Sequence, residues 1–199
     1  MRAILWCNGQ NPTIEMMEIF DKDTPLFGVD GGADKAQKAG YEVIEVLGDL
    51  DSIDSEEWNE KSTKLPDPSN SDLAKALAEL ATRGFDSIDI VGIDGGSPDH
   101  ILGNWAALAD APGSLCIRMQ HENGTTIRLH PDEGAVEFEA EIGTEFSVFA
   151  LSKCERVTIE GAKWNLDSQP LEFSTLGLHN LTIEKHLKIQ ADGILAIIF

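Results

Sequence analysis

Val43-Ile44-Glu45-Val46-Leu47-Gly48-Asp49-Leu50-Asp51-Ser52 is the stretch on which the reading of the fold turns. Residues 43–47 are a short run of β-branched and apolar residues, which suits a strand buried inside a sheet. The run stops at a glycine, and two aspartates follow with one leucine between them. The same grammar occurs twice more. Residues 26–29 are apolar and end in Asp30-Gly31-Gly32. Residues 87–91 end in Gly92-Ile93-Asp94-Gly95-Gly96-Ser97-Pro98-Asp99-His100.

Residues 2–8 and 115–119 are further short apolar strands. Helical patterns fall between the strands, at 13–20, at 33–39 closed by Gly40, at 54–60, at 71–82 and at 98–109. In 71–82, Leu73, Ala74, Leu77, Ala78 and Ala81 recur at helical intervals, and Gly84 follows as a stop. Strand and helix in alternation predict an α/β domain with a largely parallel sheet over residues 1–119. The texture then changes. Short β-rich segments at 125–129, 135–139, 145–150, 156–159, 181–183, 186–189 and 194–198 are punctuated by Gly, Asp and Asn. Val136-Glu137-Phe138-Glu139-Ala140 alternates apolar and polar as a half-buried strand does. Residues 120–199 therefore read as an all-β antiparallel sandwich that abuts the first domain without a linker.

The 199 residues hold 15 basic and 35 acidic side chains, for a net charge of −20. A field of that sign repels nucleic acid and anionic membrane, so neither is expected as a partner. It also repels a nucleotide unless a divalent cation intervenes. No apolar run nears the roughly 18 residues of a membrane span. The apolar start at residues 3–7 is short for a signal peptide. Cys7, Cys116 and Cys154 are odd in number and scattered, so neither a disulfide framework nor a zinc site is expected. A cytoplasmic location is the simple reading.

In an open α/β sheet, ligands bind beyond the carboxyl ends of the strands. Glycines there let backbone approach a phosphate, and aspartates supply hard oxygen ligands for Mg²⁺. Each acidic turn also has a plain structural reading. Asp-Gly-Gly is a common turn. Asp51 or Ser52 could cap the helix that begins near Asp54. Asp72 and Asp99 could serve helix N-termini, and His100 could be structural. What points to a site is the repetition on three strand ends. There is no G-x-x-x-x-G-K-[ST] loop, no G-x-G-x-x-G after the first strand and no G-x-S-x-G elbow.

Taken in order, Asp30-Gly31-Gly32-Ala33, Gly48-Asp49-Leu50-Asp51-Ser52, Ser71-Asp72-Leu73-x-Lys75-Ala76-Leu77 and Gly95-Gly96-x-x-Asp99-His100-x-Leu102-x-Asn104 resemble the thiamine pyrophosphokinase family. Gly161-Ala162-Lys163-Trp164-Asn165-Leu166 and the segment ending His179-Asn180 extend the resemblance toward the C-terminus. The resemblance implies a homodimer with sites at its interface. It implies transfer of a pyrophosphoryl group from ATP to the hydroxyl of thiamine, with AMP released. Mg²⁺ and catalytic roles are implied for Asp30, Asp49, Asp51 and Asp72. Gly31, Gly32, Gly95, Gly96 and Asp99 are implied as nucleotide contacts, with His100 beside them. Trp164 is implied as the ring that packs on thiamine, with Asn180 nearby. Asp72 or Asp99 would take the hydroxyl proton. Three positions depart from the family pattern. Ser97 replaces an arginine, Ser69 replaces an acidic candidate, and His179 replaces a serine. Two rival readings are a metal-dependent phosphatase or sugar transferase built on Asp49-x-Asp51, and a non-catalytic thiamine or nucleotide binder. Gly48 and Ser52 fit the phosphatase pattern poorly.

Overall fold

The computed structural model describes residues 1–51, 55–58 and 60–199, and the chain divides into two units, Met1–Asn123 and Gly124–Phe199. The first unit runs β1 (Arg2–Trp6), α1 (Ile14–Met17), β2 (Leu26–Val29), α2 (Gly32–Lys38), β3 (Glu45–Gly48) and α3 (Ser55–Trp58). It continues with β4 (Ser62–Lys64), α4 (Asp72–Thr82), β5 (Ser87–Val91), α5 (Pro98–Asp110) and β6 (Cys116–His121). The strands order as β6-β5-β1-β2-β3-β4, and every adjacent pair is parallel.

Ala3, Ile4, Leu5 and Trp6 of β1 are all buried, the continuous apolar run of a strand covered on both faces. The chain works outward from β1 to β4, then returns to the other side of β1 for β5 and β6. The order therefore reverses at β1, where open parallel sheets place their ligands. Trp6 pairs with Gly28 and Val91, and Val29 pairs with Leu47. The loops after β1, β2, β3 and β5 thus leave from one edge. Helix α2 lies hard against this edge. A Cβ on Gly32 would collide with the Trp6 carbonyl oxygen, so glycine permits the contact.

Helix α4 begins at Ser71, whose hydroxyl accepts from the Ala74 amide. Its buried face is Leu73, Ala74, Ala76, Leu77 and Leu80, with Ala78 exposed, so the stripe is rotated from the one expected. Helix α1 spans four residues where residues 13–20 were expected. Ile14 and Ile19 are exposed and only Met17 and Phe20 are buried, too little apolar face to carry a longer helix. Strand β4 was not anticipated. Its Ser-Thr-Lys is a short polar edge without an apolar pattern. The helix expected at 54–60 is described as α3 alone; Ser52, Asp54 and Asn59 lie outside the described residues.

The second unit comprises β7 (Gly124–Leu129), β8 (Val136–Glu139), β9 (Glu145–Ala150), β10 (Cys154–Glu160), β11 (Leu166–Leu171), β12 (Asn180–Leu181), β13 (His186–Ala191) and β14 (Leu195–Ile198). Two antiparallel sheets, β12-β9-β14-β7 and β11-β10-β13-β8, share one core. Phe146, Val148 and Ile197 meet Val157, Ile159 and Leu187 there. This is the expected sandwich. Strand β11 was not expected, because Asp167, Ser168, Gln169 and Pro170 are exposed and only Leu171 is buried. A proline is tolerated in that edge position.

Ser71 sets the start of α4 and so the position of Asp72. Ser71→Ala should destabilise the protein by about 1 kcal/mol in urea denaturation, the usual loss of an N-cap. Ser71→Asp should retain the stability. Equal stability of wild type and Ser71→Ala would show that the cap hydrogen bond carries nothing.

Candidate active site

Asp30 follows β2, Asp49 follows β3 and Asp72 opens α4. One carboxylate oxygen from each lies within 4.8 Å of the others. The loop after β3 ties the three together. The Asp49 amide donates to Asp72 Oδ1 at 3.1 Å, and the Leu50 amide donates to Asp30 Oδ1 at 3.1 Å. Gly48 is required by contact, since a Cβ there would collide with the Asp30 carboxylate. Asp30 and Leu50 both sit in the left-handed region, at φ 44° and 67°. That conformation costs about 1–2 kcal/mol for a residue with a side chain. Leu50 packs against the core of Trp6 and Val46, which helps hold the turn.

The same turn moves Asp51 out of the group. An extended backbone would point Asp49 and Asp51 the same way. With Leu50 left-handed, the Asp51 amide instead donates to Asp49 Oδ1 at 3.2 Å and its side chain is exposed. A cation balances the group from beneath. Lys75 Nζ lies 2.5 Å from Asp72 Oδ1 and donates to the Leu65 carbonyl at 3.0 Å, with its side chain 8% exposed. Burial, and next the neighbouring Asp72 charge, push Asp30 up to about 7. Three crowded, partly buried carboxylates are short of positive charge. Hard oxygen donors in this number suit a small divalent cation such as Mg²⁺.

The glycine loops border the same edge. A Cβ on Gly31 would lie 2.8 Å from Asn8 Nδ2. Lys35 on α2 donates to the Asn8 and Gly9 carbonyls at 2.7 and 2.6 Å, which fixes the loop after β1. Gly95 and Gly96 have φ of 72° and 88°, and a Cβ on Gly96 would meet no atom within 4 Å, so this backbone is open to a ligand. Asp99 and His100 are exposed on the first turn of α5, outside the carboxylate group. Hydrogen bonds from the Ser97 hydroxyl and then from its own turn hold Asp99 below the usual carboxylate range.

In the second unit, Asn180 clamps Trp164. The Trp164 amide donates to Asn180 Oδ1 at 3.1 Å, and Asn180 Nδ2 donates to the Trp164 carbonyl at 2.8 Å. The indole is 54% exposed, with Lys163 Nζ 4.4 Å from the ring centre. Trp164, Leu166, Leu176, Leu178 and Asn180 border a groove of about 360 Å³. His179 pairs with Glu145 at 2.8 Å instead of turning to the clamp. The pairing of Asp94 with His121, at 2.9 Å, was not foreseen. The two are 27 residues apart, and nothing in the pattern around His121 signals it.

Residues 16–119 match the family described as thiamin pyrophosphokinase, catalytic domain, and residues 125–193 match thiamin pyrophosphokinase, vitamin B1 binding domain. The thiamine pyrophosphokinase of Bacillus subtilis is 35% identical over 91 residues, an alignment that spans 42% of this chain and 42% of that relative. A crystal structure of the B. subtilis thiamine pyrophosphokinase superposes with a TM-score of 0.80 at 25% identity, covering 100% of this chain and 98% of that one. The thiamin pyrophosphokinase of Candida albicans shares the fold at 15% identity, with a TM-score of 0.74 over 99% of this chain and 88% of that one.

The raised Asp30 sets a pH dependence. Unfolded, the carboxyl titrates near the ordinary ~4; folded, it titrates near 7. The folded state holds the proton more tightly, so ionisation costs stability. That cost is absent below about pH 4, grows through the interval and is complete above 7. Asp30→Asn keeps an oxygen for the Leu50 amide and removes the charge. In divalent-free buffer its melting temperature should exceed that of the wild type by a margin that widens from about pH 5 to pH 8. A margin that stays constant across this range would contradict the assignment.

Proposed function

Because this chain belongs to the thiamin pyrophosphokinase family, we propose that it transfers the pyrophosphoryl group of ATP to the hydroxyl of thiamine and releases AMP. The observation that carries this reading is the Asp30–Asp49–Asp72 group on the ligand-binding edge of the parallel sheet, inside the segment that matches the family's catalytic domain. The clamped Trp164 lies inside the segment that matches the vitamin B1 binding domain.

Asp30, Asp49 and Asp72 would hold Mg²⁺, with Asp51 as an outer carboxylate on the same loop. A divalent ion in that place neutralises charge on phosphate oxygens and so favours attack at phosphorus. The rest is positioning by the chain's own groups. Lys75 holds Asp72 at its station. The backbone of Gly96, where a Cβ would meet no atom within 4 Å, lets phosphate oxygens approach amide groups, while Gly31 and Gly32 are buried at the turn into α2. The indole of Trp164 offers a flat face to the cationic rings of thiamine, and Asn180 fixes its backbone. The hydroxyl of thiamine attacks the β-phosphorus in line, and AMP leaves. Its proton passes to a carboxylate on this edge. Asp99 is exposed, and hydrogen bonds from the Ser97 hydroxyl and then from its own turn hold it low, which weakens it as a base.

The reading is of a cytoplasmic homodimer in which the thiamine groove of one copy faces the nucleotide unit of the other. Exposed Trp164, Phe173, Leu176 and Leu178 in the second unit supply apolar surface that favours such an association. No described helix is long and apolar enough to cross a membrane.

A coupled assay for AMP tests the reaction. AMP should appear only when thiamine, ATP and Mg²⁺ are all present. Hydrolysis of ATP without need of thiamine, or binding of both substrates without AMP, would contradict it. Asp49→Asn and Asp72→Asn should each lower turnover by about two orders of magnitude with melting curves that still show a folded protein. Trp164→Ala should raise the KM for thiamine roughly tenfold, a loss of stacking and cation–π contact, and leave the KM for ATP nearly unchanged. Equal loss toward both substrates would assign Trp164 a structural role.

A further inference from the structure

Helix α3 follows, in the chain, the loop that carries Asp49, and its last residue makes a contact that nothing above uses. The Trp58 side chain is buried, and its Nε1 donates to Asp34 Oδ1 at 2.6 Å. Asp34 stands on the first turn of α2, and α2 comes directly after Asp30. One turn further along α2, Gln37 Nε2 donates to Glu57 Oε1 at 2.7 Å. Two successive turns of α2 are therefore tied to α3. The Gln37 contact is exposed and competes with water. The Trp58 contact joins a buried donor to a carboxylate, which makes it the stronger of the two.

The two helices belong to different sides of the carboxylate group. Asp30 leads into α2, and Asp49 and Leu50 lead toward α3. At the group itself the sides meet where the Leu50 amide donates to Asp30 Oδ1. Beneath it they meet in one apolar cluster, where Leu50 and Trp58 pack with Ala33 and Ala36 of α2. Like charge on Asp30 and Asp49 drives the sides apart. Apolar packing is non-directional and leaves α3 free to shift along α2, whereas a hydrogen bond from an indole N–H fixes direction as well as distance. Resting on the proposed role of the three carboxylates as Mg²⁺ ligands, we propose that Asp34 and Trp58 are positioning residues for the reaction. Their hydrogen bond locks α3 on α2 and so keeps the left-handed turn at Leu50 in the form whose amides engage Asp30 and Asp72. Neither residue is part of the carboxylate group, and both act through the turn.

The plain alternative is that the indole only fills the core and Asp34 only complements the start of its helix. Three variants separate the two. Trp58→Phe keeps an aromatic ring and removes the N–H. Asp34→Ala removes the acceptor, and Asp34→Asn keeps an acceptor oxygen without the charge. Amide hydrogen exchange, followed by NMR in divalent-free buffer, reads the turn directly, because the Asp49 and Leu50 amides are the donors to Asp72 and Asp30. In Trp58→Phe and Asp34→Ala these two amides should exchange faster than in the wild type, by about tenfold more than the amides of β5, the scale of one lost hydrogen bond to a carboxylate. The Mg²⁺ concentration for half-maximal AMP formation should rise by a similar factor, with the KM for thiamine within twofold. Asp34→Asn should restore both readouts. Unchanged exchange at Asp49 and Leu50 in folded Asp34→Ala would overturn the proposal. So would acceleration shared equally with β5, which marks a general loss of stability, or Asp34→Asn behaving as Asp34→Ala, which would assign the effect to charge. A wild type that makes no AMP would count against the proposed reaction alone, because exchange without metal still decides the tie.

Discussion

Mutual repulsion among three carboxylates is the constraint around which the first unit is built. Asp30, Asp49 and Asp72 come from three separate elements and would part if only their own charge were at work. The chain resists this with directed amide hydrogen bonds from Asp49 and Leu50, with a glycine at 48 where any Cβ would strike Asp30, and with the near-buried ammonium of Lys75. Two residues with side chains accept a left-handed backbone to complete the arrangement. Strain of this kind is kept where the surrounding structure enforces it, and it concentrates at ligand sites. One ammonium does not balance three carboxylates. A divalent cation does, and its phosphate ligands would then be drawn to a protein of charge −20 that would otherwise repel them.

The parallel sheet makes the crowding possible. Every strand of the first unit points the same way, so the loops that follow β1, β2, β3 and β5 leave from a common edge and their side chains need not be neighbours in sequence. The reversal of strand order at β1 adds a second stretch of that edge, at β5 and β6, with the glycine loop and the Asp94–His121 pair. In the antiparallel sandwich, a different device presents one aromatic ring. Two hydrogen bonds, one donated and one accepted by the buried Asn180 side chain, hold the Trp164 backbone while the indole stays largely exposed.

Much of this was legible in the sequence where burial writes a pattern. β2, β3 and β5 are apolar runs that end in glycine and aspartate, and they read as strands with ligand loops because strands covered on both faces have no alternation to hide them. The change to short alternating segments marked the sandwich. Polar edges such as Ser62–Lys64 and Leu166–Leu171 carry no such pattern and were missed. Asp30 and Asp49 were legible from their place at strand ends, whereas Asp72, at the start of α4, was reached through the resemblance. The exclusion of Asp51 was not legible, because it depends on the left-handed backbone of Leu50, and a leucine gives no sign of that in sequence. The pairing of Asp94 with His121 arises only when β5 and β6 lie side by side. Trp164 and Asn180 were reached through resemblance, since an isolated tryptophan in a β-rich segment is otherwise an ordinary strand residue.

The central claim is that the three carboxylates form one cation site that serves the phosphates of a nucleotide. Anomalous scattering from Mn²⁺, in crystals grown with ATP, tests it most directly. The account predicts a peak within direct coordination distance of oxygens from Asp30, Asp49 and Asp72, with phosphate oxygens completing the shell. A nucleotide-bound structure in which the Mn²⁺ peak lies elsewhere, with the three carboxylates left as they are or spread apart, would contradict it.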